Sequence, residues 1–178
     1  MNLPNKLSIL RMALIPVMVA LMYPNTPTWN LLAAAVFGAA AFTDFLDGHI
    51  ARKQGIVTDF GKFVDPVADK LLTLSALIML IQQGMMLSWV VVVILARELC
   101  VDGLRMVAVS HGQVIAAGKL GKIKTVSQIV LILWLMLFRQ PVLRSWISGI
   151  LTLWVAGITL WSGIDYFVRN GSCLKDIK

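Results

Sequence analysis

Apolar runs of about helix-spanning length, separated by short polar connections, set the rhythm of this chain. They predict six helices, at about Asn5–Tyr23, Trp29–Lys53, Asp59–Gln83, Ser88–Ser110, Lys122–Phe138 and Ser145–Val168. Each is close to the roughly 20 residues that a bilayer core demands. The start of the first is amphipathic, as suits a segment that lies along a membrane surface before entering it. Pro24, Asn25 and Pro27 end that helix, and Gly84–Leu87 makes a tight turn. Gln54–Thr58, Gln113–Gly121 and Arg139–Arg144 form the other connections. Pro66 has no N–H to give the Lys62 carbonyl, so the third helix either kinks there or begins there with Asp65 as its cap.

Composition moves the reading from helical to membrane-embedded. Of 178 residues, 58% are hydrophobic and only 14% charged, more apolar sequence than a water-soluble core absorbs. The expected fold is all-α: one domain over residues 1–178, six transmembrane helices, and a cavity on the cytoplasmic side. A net charge of +7 raises nucleic acid as a partner. The cations form no basic and aromatic stripe, however, which speaks against it. They lie in the connections: Lys6 and Arg11; Arg52, Lys53 and Lys62; Lys119, Lys122 and Lys124; Arg169, Lys175 and Lys178. The alternate connections carry only Arg139 and Arg144, so both termini are expected in the cytoplasm of a multi-pass cell-membrane protein. Met1–Tyr23 resembles a signal peptide, but Pro24-Asn25-Thr26-Pro27 offers no small-residue cleavage site, so an uncleaved first helix is expected. Cys100 and Cys173 suggest neither a disulfide framework nor a thiolate metal site.

Against this apolar background, one stretch concentrates charge. Asp44 and Asp47 are three apart on the second helix, and Asp65 and Asp69 are four apart on the third, so each pair shares a helix face. A short connection brings both pairs toward one end of the two helices. Single aspartates here read equally well as caps or solvated interface residues. Four together repel and need a counter-charge. Hard carboxylate oxygens suit Mg²⁺, Mn²⁺ or Ca²⁺, and a pair of such ions would keep the cage ionised. Gly48 and Gly61 allow close approach of a ligand or of a second backbone. Arg52 would either grip a phosphate or snorkel to the surface.

The fourth helix turns polar in its second half. Glu98, Asp102 and Arg105 share a face, which allows Arg105 an ion pair within its own helix. Arg97 lies off that stripe with no evident partner, and an arginine at such depth is a functional candidate. Lys122 and Lys124 add positive charge beside the hydroxyl of Thr125, read either as a phosphate pocket or as positive-inside topology.

The run D-x-x-D-G-x-x-A-R, eight residues, then G-x-x-x-D-x-x-x-D resembles the signature of the CDP-alcohol phosphotransferase family, with every specified position filled from Asp44 to Asp69. P-N-K-L-S-x-x-R (Pro4–Arg11), A-R-E (Ala96–Glu98) and G-K-x-K-T (Gly121–Thr125) resemble the branch that uses glycerol phosphate. The resemblance implies transfer of a phosphatidyl group from CDP-diacylglycerol to glycerol 3-phosphate, with CMP released, in a homodimer. It implies that Asp44, Asp47 and Asp65 hold divalent metal, two Mg²⁺ or Mn²⁺ ions, with Asp69 beside them as general base. Asp47, Gly48, Arg52 and Gly61 would accommodate the nucleotide of the CDP-lipid. Arg97, Arg105, Lys122, Lys124 and Thr125 would hold the glycerol phosphate. Asn5 and Arg11 fall in the matched N-terminal motif without a role of their own.

Two rival readings differ in class or substrate. A cationic pocket does not suit choline, and serine or free inositol brings no phosphate to hold, which leaves inositol phosphate as the alternative acceptor. Intramembrane carboxylates also mark ion or proton transporters. Those tend to spread carboxylates through the membrane depth and to carry inverted repeats, whereas here they gather at one end, apart from Glu98 and Asp102 on the fourth helix, and no repeat is seen.

Overall fold

The computed structural model describes the backbone of residues 3–54, 59–110 and 118–171, and the side chains of 7–43, 67–109 and 118–171. Among these residues there are six α-helices and no strand. They are α1 (Leu3–Met22), α2 (Pro27–Gln54), α3 (Asp59–Gln82), α4 (Ser88–Ser110), α5 (Lys119–Phe138) and α6 (Trp146–Asn170). Every predicted helix is present, and most ends agree within a few residues. α3 runs from Asp59 through Pro66, so of the two alternatives for that proline the chain does not begin a helix there. α5 starts at Lys119, which moves Lys119–Gly121 from the expected loop into the helix.

Local chemistry explains the ends. Asn25 takes the left-handed conformation (φ 53°), which asparagine tolerates better than most residues, and Thr26 then caps α2 by accepting from Trp29 N at 3.4 Å. Pro27 sits at the first helical position, where its missing N–H costs nothing. α3 closes on Gly84 at φ 71°: Met85 N bonds to Leu80 O and Gly84 N to Ile81 O, both at 2.9 Å. That is a Schellman motif, and the positive φ is why glycine stands there. Ser145 caps α6 by accepting from Ser148 N.

The chain divides into two compact units. The first comprises residues Met1–Met86 and Ile132–Pro141, and the second Leu87–Leu131 and Val142–Lys178. In the first, α1 packs on α2 and α3. Its core holds Met18 and Met22 of α1, Ala33, Phe37 and Ala40 of α2, and Leu72, Ala76, Leu77 and Leu80 of α3. The three alanines put little side chain between backbones, which allows helices to approach closely. A polar tie joins the same three helices. Gln83 Nε2 donates to Met22 O at 2.7 Å and to Asn30 Oδ1 at 3.0 Å, and Asn30 Nδ2 returns a bond to Gln83 Oε1 at 3.0 Å. Arg139 Nη2 donates to the backbone and side-chain oxygens of Asn25.

In the second unit α4 packs on α6, around Val101, Leu104 and Tyr166 with Phe167 against them. α6 is inverted relative to a helix of a water-soluble protein. Its buried positions are Ser148, Thr152, Val155, Ala156, Thr159, Ser162 and Tyr166, while Ile150, Leu153, Leu160, Trp161, Ile164 and Val168 are exposed. Polar-in and apolar-out is what a helix adopts when its surroundings are less polar than its neighbours. α5 and α6 are both long and apolar enough to cross a membrane.

Candidate active site

Four aspartates and a group of cations were expected to carry the chemistry, and they fall in different units. Asp44 and Asp47 lie in the last third of α2, and Asp65 and Asp69 in the first half of α3. α2 and α3 touch within the first unit. Asp69 is half-buried, and its backbone carbonyl accepts from Thr73 Oγ1 at 3.2 Å, a bond back along the helix. The side chains of Asp44, Asp47, Gly48, Arg52, Gly61, Asp65 and Asn5 lie outside the described residues. Among the described residues no group of three or more metal-ligating side chains gathers. As a donor set the four aspartates fit a hard divalent cation: all are carboxylates, borne as two same-face pairs on two helices in contact. Arg11 belongs to this unit and is completely buried, the largest side chain to be so among the described residues. Sequence reasoning left it without a role. Its burial in an arginine-poor helix is the signal that composition alone does not carry.

The cations on α4 and α5 come together around a carboxylate. Glu98 accepts from Lys124 Nζ and stands 3.6 Å from Arg97 Nη1. All three side chains are largely shielded, Lys124 at 4%, Arg97 at 12% and Glu98 at 14% exposure. Among the described residues, two cations therefore share this one anion. A buried Arg97 Nε has no hydrogen-bond partner among the described residues. Small residues make room for this arginine. A Cβ built on Gly163 of α6 would stand 3.2 Å from Arg97 Cγ, and one on Gly121 of α5 3.6 Å from Arg97 Nη2.

Arg105 lies about two helical turns further along α4. The ion pair allowed within α4 is not what it forms. Its Nε donates to Tyr166 Oη at 3.1 Å, and its guanidinium carbon stands 5.5 Å from that ring's centroid. Among the described residues no ion pair joins it to Glu98 or Asp102. The partner is aromatic because α6 brings Tyr166 against this face of α4, a tertiary contact that helical spacing does not contain. Lys122 is exposed, two residues from buried Lys124 and on another face of α5. Thr125 gives its hydroxyl to Gly121 O at 3.1 Å, within its own helix. The structure brings Arg97 and Lys124 together on Glu98, a common anion that the sequence reading did not name. That reading also left Arg97 without a partner, and the neighbouring carboxylate in A-R-E was the available clue.

An all-helical chain with paired aspartates on one pair of helices and a shielded basic cluster on another has close relatives among known proteins. Residues 1–161 match the model of the CDP-alcohol phosphatidyltransferase family, and the chain belongs to that family. Among similar proteins, one from Bacillus subtilis named CDP-diacylglycerol–glycerol-3-phosphate 3-phosphatidyltransferase is 44% identical, over 98% of this chain and 97% of the relative. Proteins of the same name from Rickettsia bellii (39% identical, 93% of each chain) and Pseudomonas fluorescens (38%, 93% of this chain and 88% of the relative) are similar along nearly their whole length.

Proposed function

We propose that this protein transfers the phosphatidyl group of CDP-diacylglycerol to glycerol 3-phosphate, releasing CMP and forming phosphatidylglycerophosphate. Membership of the family supports the class of reaction, and the names of relatives at 38–44% identity support this acceptor. The observation that carries the acceptor is the cluster of Arg97 and Lys124 on the single carboxylate Glu98. A shielded site with two cations suits a phosphate monoester and repels choline, and the Nε of Arg97 supplies a donor. Arg105, held by Tyr166, adds a further guanidinium on α4.

Asp44, Asp47, Asp65 and Asp69 are the residues that would hold divalent metal, Mg²⁺ or Mn²⁺, which when bound neutralises the diphosphate and the departing CMP. In this reading Asp69 takes the proton from the glycerol hydroxyl as its oxygen attacks the lipid phosphorus, and the bond to CMP breaks in line. Asp47, Gly48, Arg52 and Gly61 accommodate the nucleotide. Arg97, Arg105 and Lys124 orient the acceptor, with Lys122 and Thr125 at the edge of that region. The finer topology belongs to the same proposal: six crossings of the cell membrane, both termini and the reaction cavity on the cytoplasmic side, and a homodimer. The inverted faces of α6 support a lipid environment.

Purified protein in detergent or lipid, given CDP-diacylglycerol and a panel of acceptors with and without chelator, tests the reading. Glycerol 3-phosphate should release CMP far faster than inositol phosphate, inositol or serine, and chelator should stop it. Release with inositol phosphate instead would replace the acceptor. Absence of any CMP release with metal present would remove the enzymatic reading.

A further inference from the structure

Gly163 stands just past the residues that match the family model, on a part of α6 that the proposed reaction does not use. We propose that Gly163 is a positioning residue that sets affinity for the acceptor phosphate by fixing the rotamer of Arg97, an inference that rests on Arg97 contacting that phosphate. A Cβ at position 163 would come to 3.2 Å of Arg97 Cγ, closer than side-chain carbons normally pack. Cγ lies near the root of the side chain, so relief takes a shift of a few tenths of an ångström in Arg97 or α6, and a shift at Cγ is carried out to the guanidinium. The other directions are already occupied. Gly121 borders Nη2, where a Cβ would lie at 3.6 Å, and Glu98 holds Nη1. The arginine is thus seated by the missing side chain of Gly163 at its root and the Glu98 carboxylate at its tip. The glycine in α6 is costly for the helix itself, since alanine is favoured there by roughly 1 kcal/mol. Packing against Arg97 gives that cost a reason. Gly157, six residues earlier on the same helix, has open space where a Cβ would stand and serves as the control.

A double-mutant cycle on the full-length protein tests this, with KM measured separately for glycerol 3-phosphate and CDP-diacylglycerol. Gly163→Ala should raise KM for glycerol 3-phosphate about three- to tenfold, the size of one off-rotamer side chain, with KM for the CDP-lipid unchanged. Gly157→Ala should change neither. Because Gly163 acts through Arg97, adding Gly163→Ala to Arg97→Ala should produce no further rise. If Gly163→Ala alone lowers thermal stability too far to assay, the Arg97→Ala background should restore it, since the clash is gone. Additive effects on KM, or a double variant no more stable than Gly163→Ala, would overturn the inference while leaving the acceptor site intact. An Arg97→Ala variant with unchanged KM for glycerol 3-phosphate would remove the acceptor site itself, and this inference with it.

Discussion

Glu98 makes the buried cations of the second unit interdependent, so substitutions there are not equivalent. Removing Arg97 leaves Lys124 still paired with Glu98. Arg97→Ala is therefore expected to raise KM for glycerol 3-phosphate by about tenfold or more, as loss of a charge-assisted bond worth roughly 1.5–3 kcal/mol implies, with little loss of stability. Lys124→Ala should raise the same KM but also unfold at lower temperature, because it takes a buried cation away from the Glu98 carboxylate. Steady-state kinetics and thermal unfolding of the two variants side by side check the order. For Asp69, exchange of the carboxylate for an amide removes a base more than a clamp. Asp69→Asn should lower turnover by roughly 10²–10⁴ while binding of the CDP-lipid partly survives, which a binding assay beside the CMP assay reads. Near-normal turnover would take the proton-transfer role from Asp69.

At the level of the helix, boundaries were legible wherever the chain carries a residue with a strict backbone requirement. Pro27 begins α2, and Gly84 ends α3 at positive φ, because few other residues accept those positions. The start of α5 was misjudged because Gly118 and Gly121 read as loop. Gly121 lies inside α5 all the same, and its lack of a side chain leaves it beside Arg97, a tertiary contact that local propensity does not contain. The tie between Gln83, Asn30 and Met22 predicts that Gln83→Leu destabilises the first unit by about 1–2 kcal/mol, since it strands the Asn30 amide and the Met22 carbonyl. A lowered unfolding midpoint in detergent checks this. Thr159 is the converse case. Its buried hydroxyl has no hydrogen-bond partner among the described residues, so Thr159→Val should be neutral or slightly stabilising. On the opposite face of α6, Leu160→Lys should reduce membrane insertion by about 2.5–3.5 kcal/mol, read from the yield of integrated protein. Equal tolerance of both substitutions would argue against lipid contact at that face.

Taken whole, the molecule was most legible where chemistry is local. Number and type of helices follow from apolar runs longer than any strand needs, and the aspartate pairs follow from three- and four-residue spacing on a helix. Those features depend only on neighbours within a turn or two of chain, so the amino-acid order determines them outright. Which cation meets which anion depends on helices far apart in sequence. Glu98 and Lys124 are 26 residues apart, and Arg105 and Tyr166 are 61 apart. Helical periodicity assigns a residue to a face but says nothing of what packs against that face. Only the tertiary structure, which brings Lys124 of α5 onto Glu98 of α4 and Tyr166 of α6 onto Arg105, decided which partner each basic residue would have.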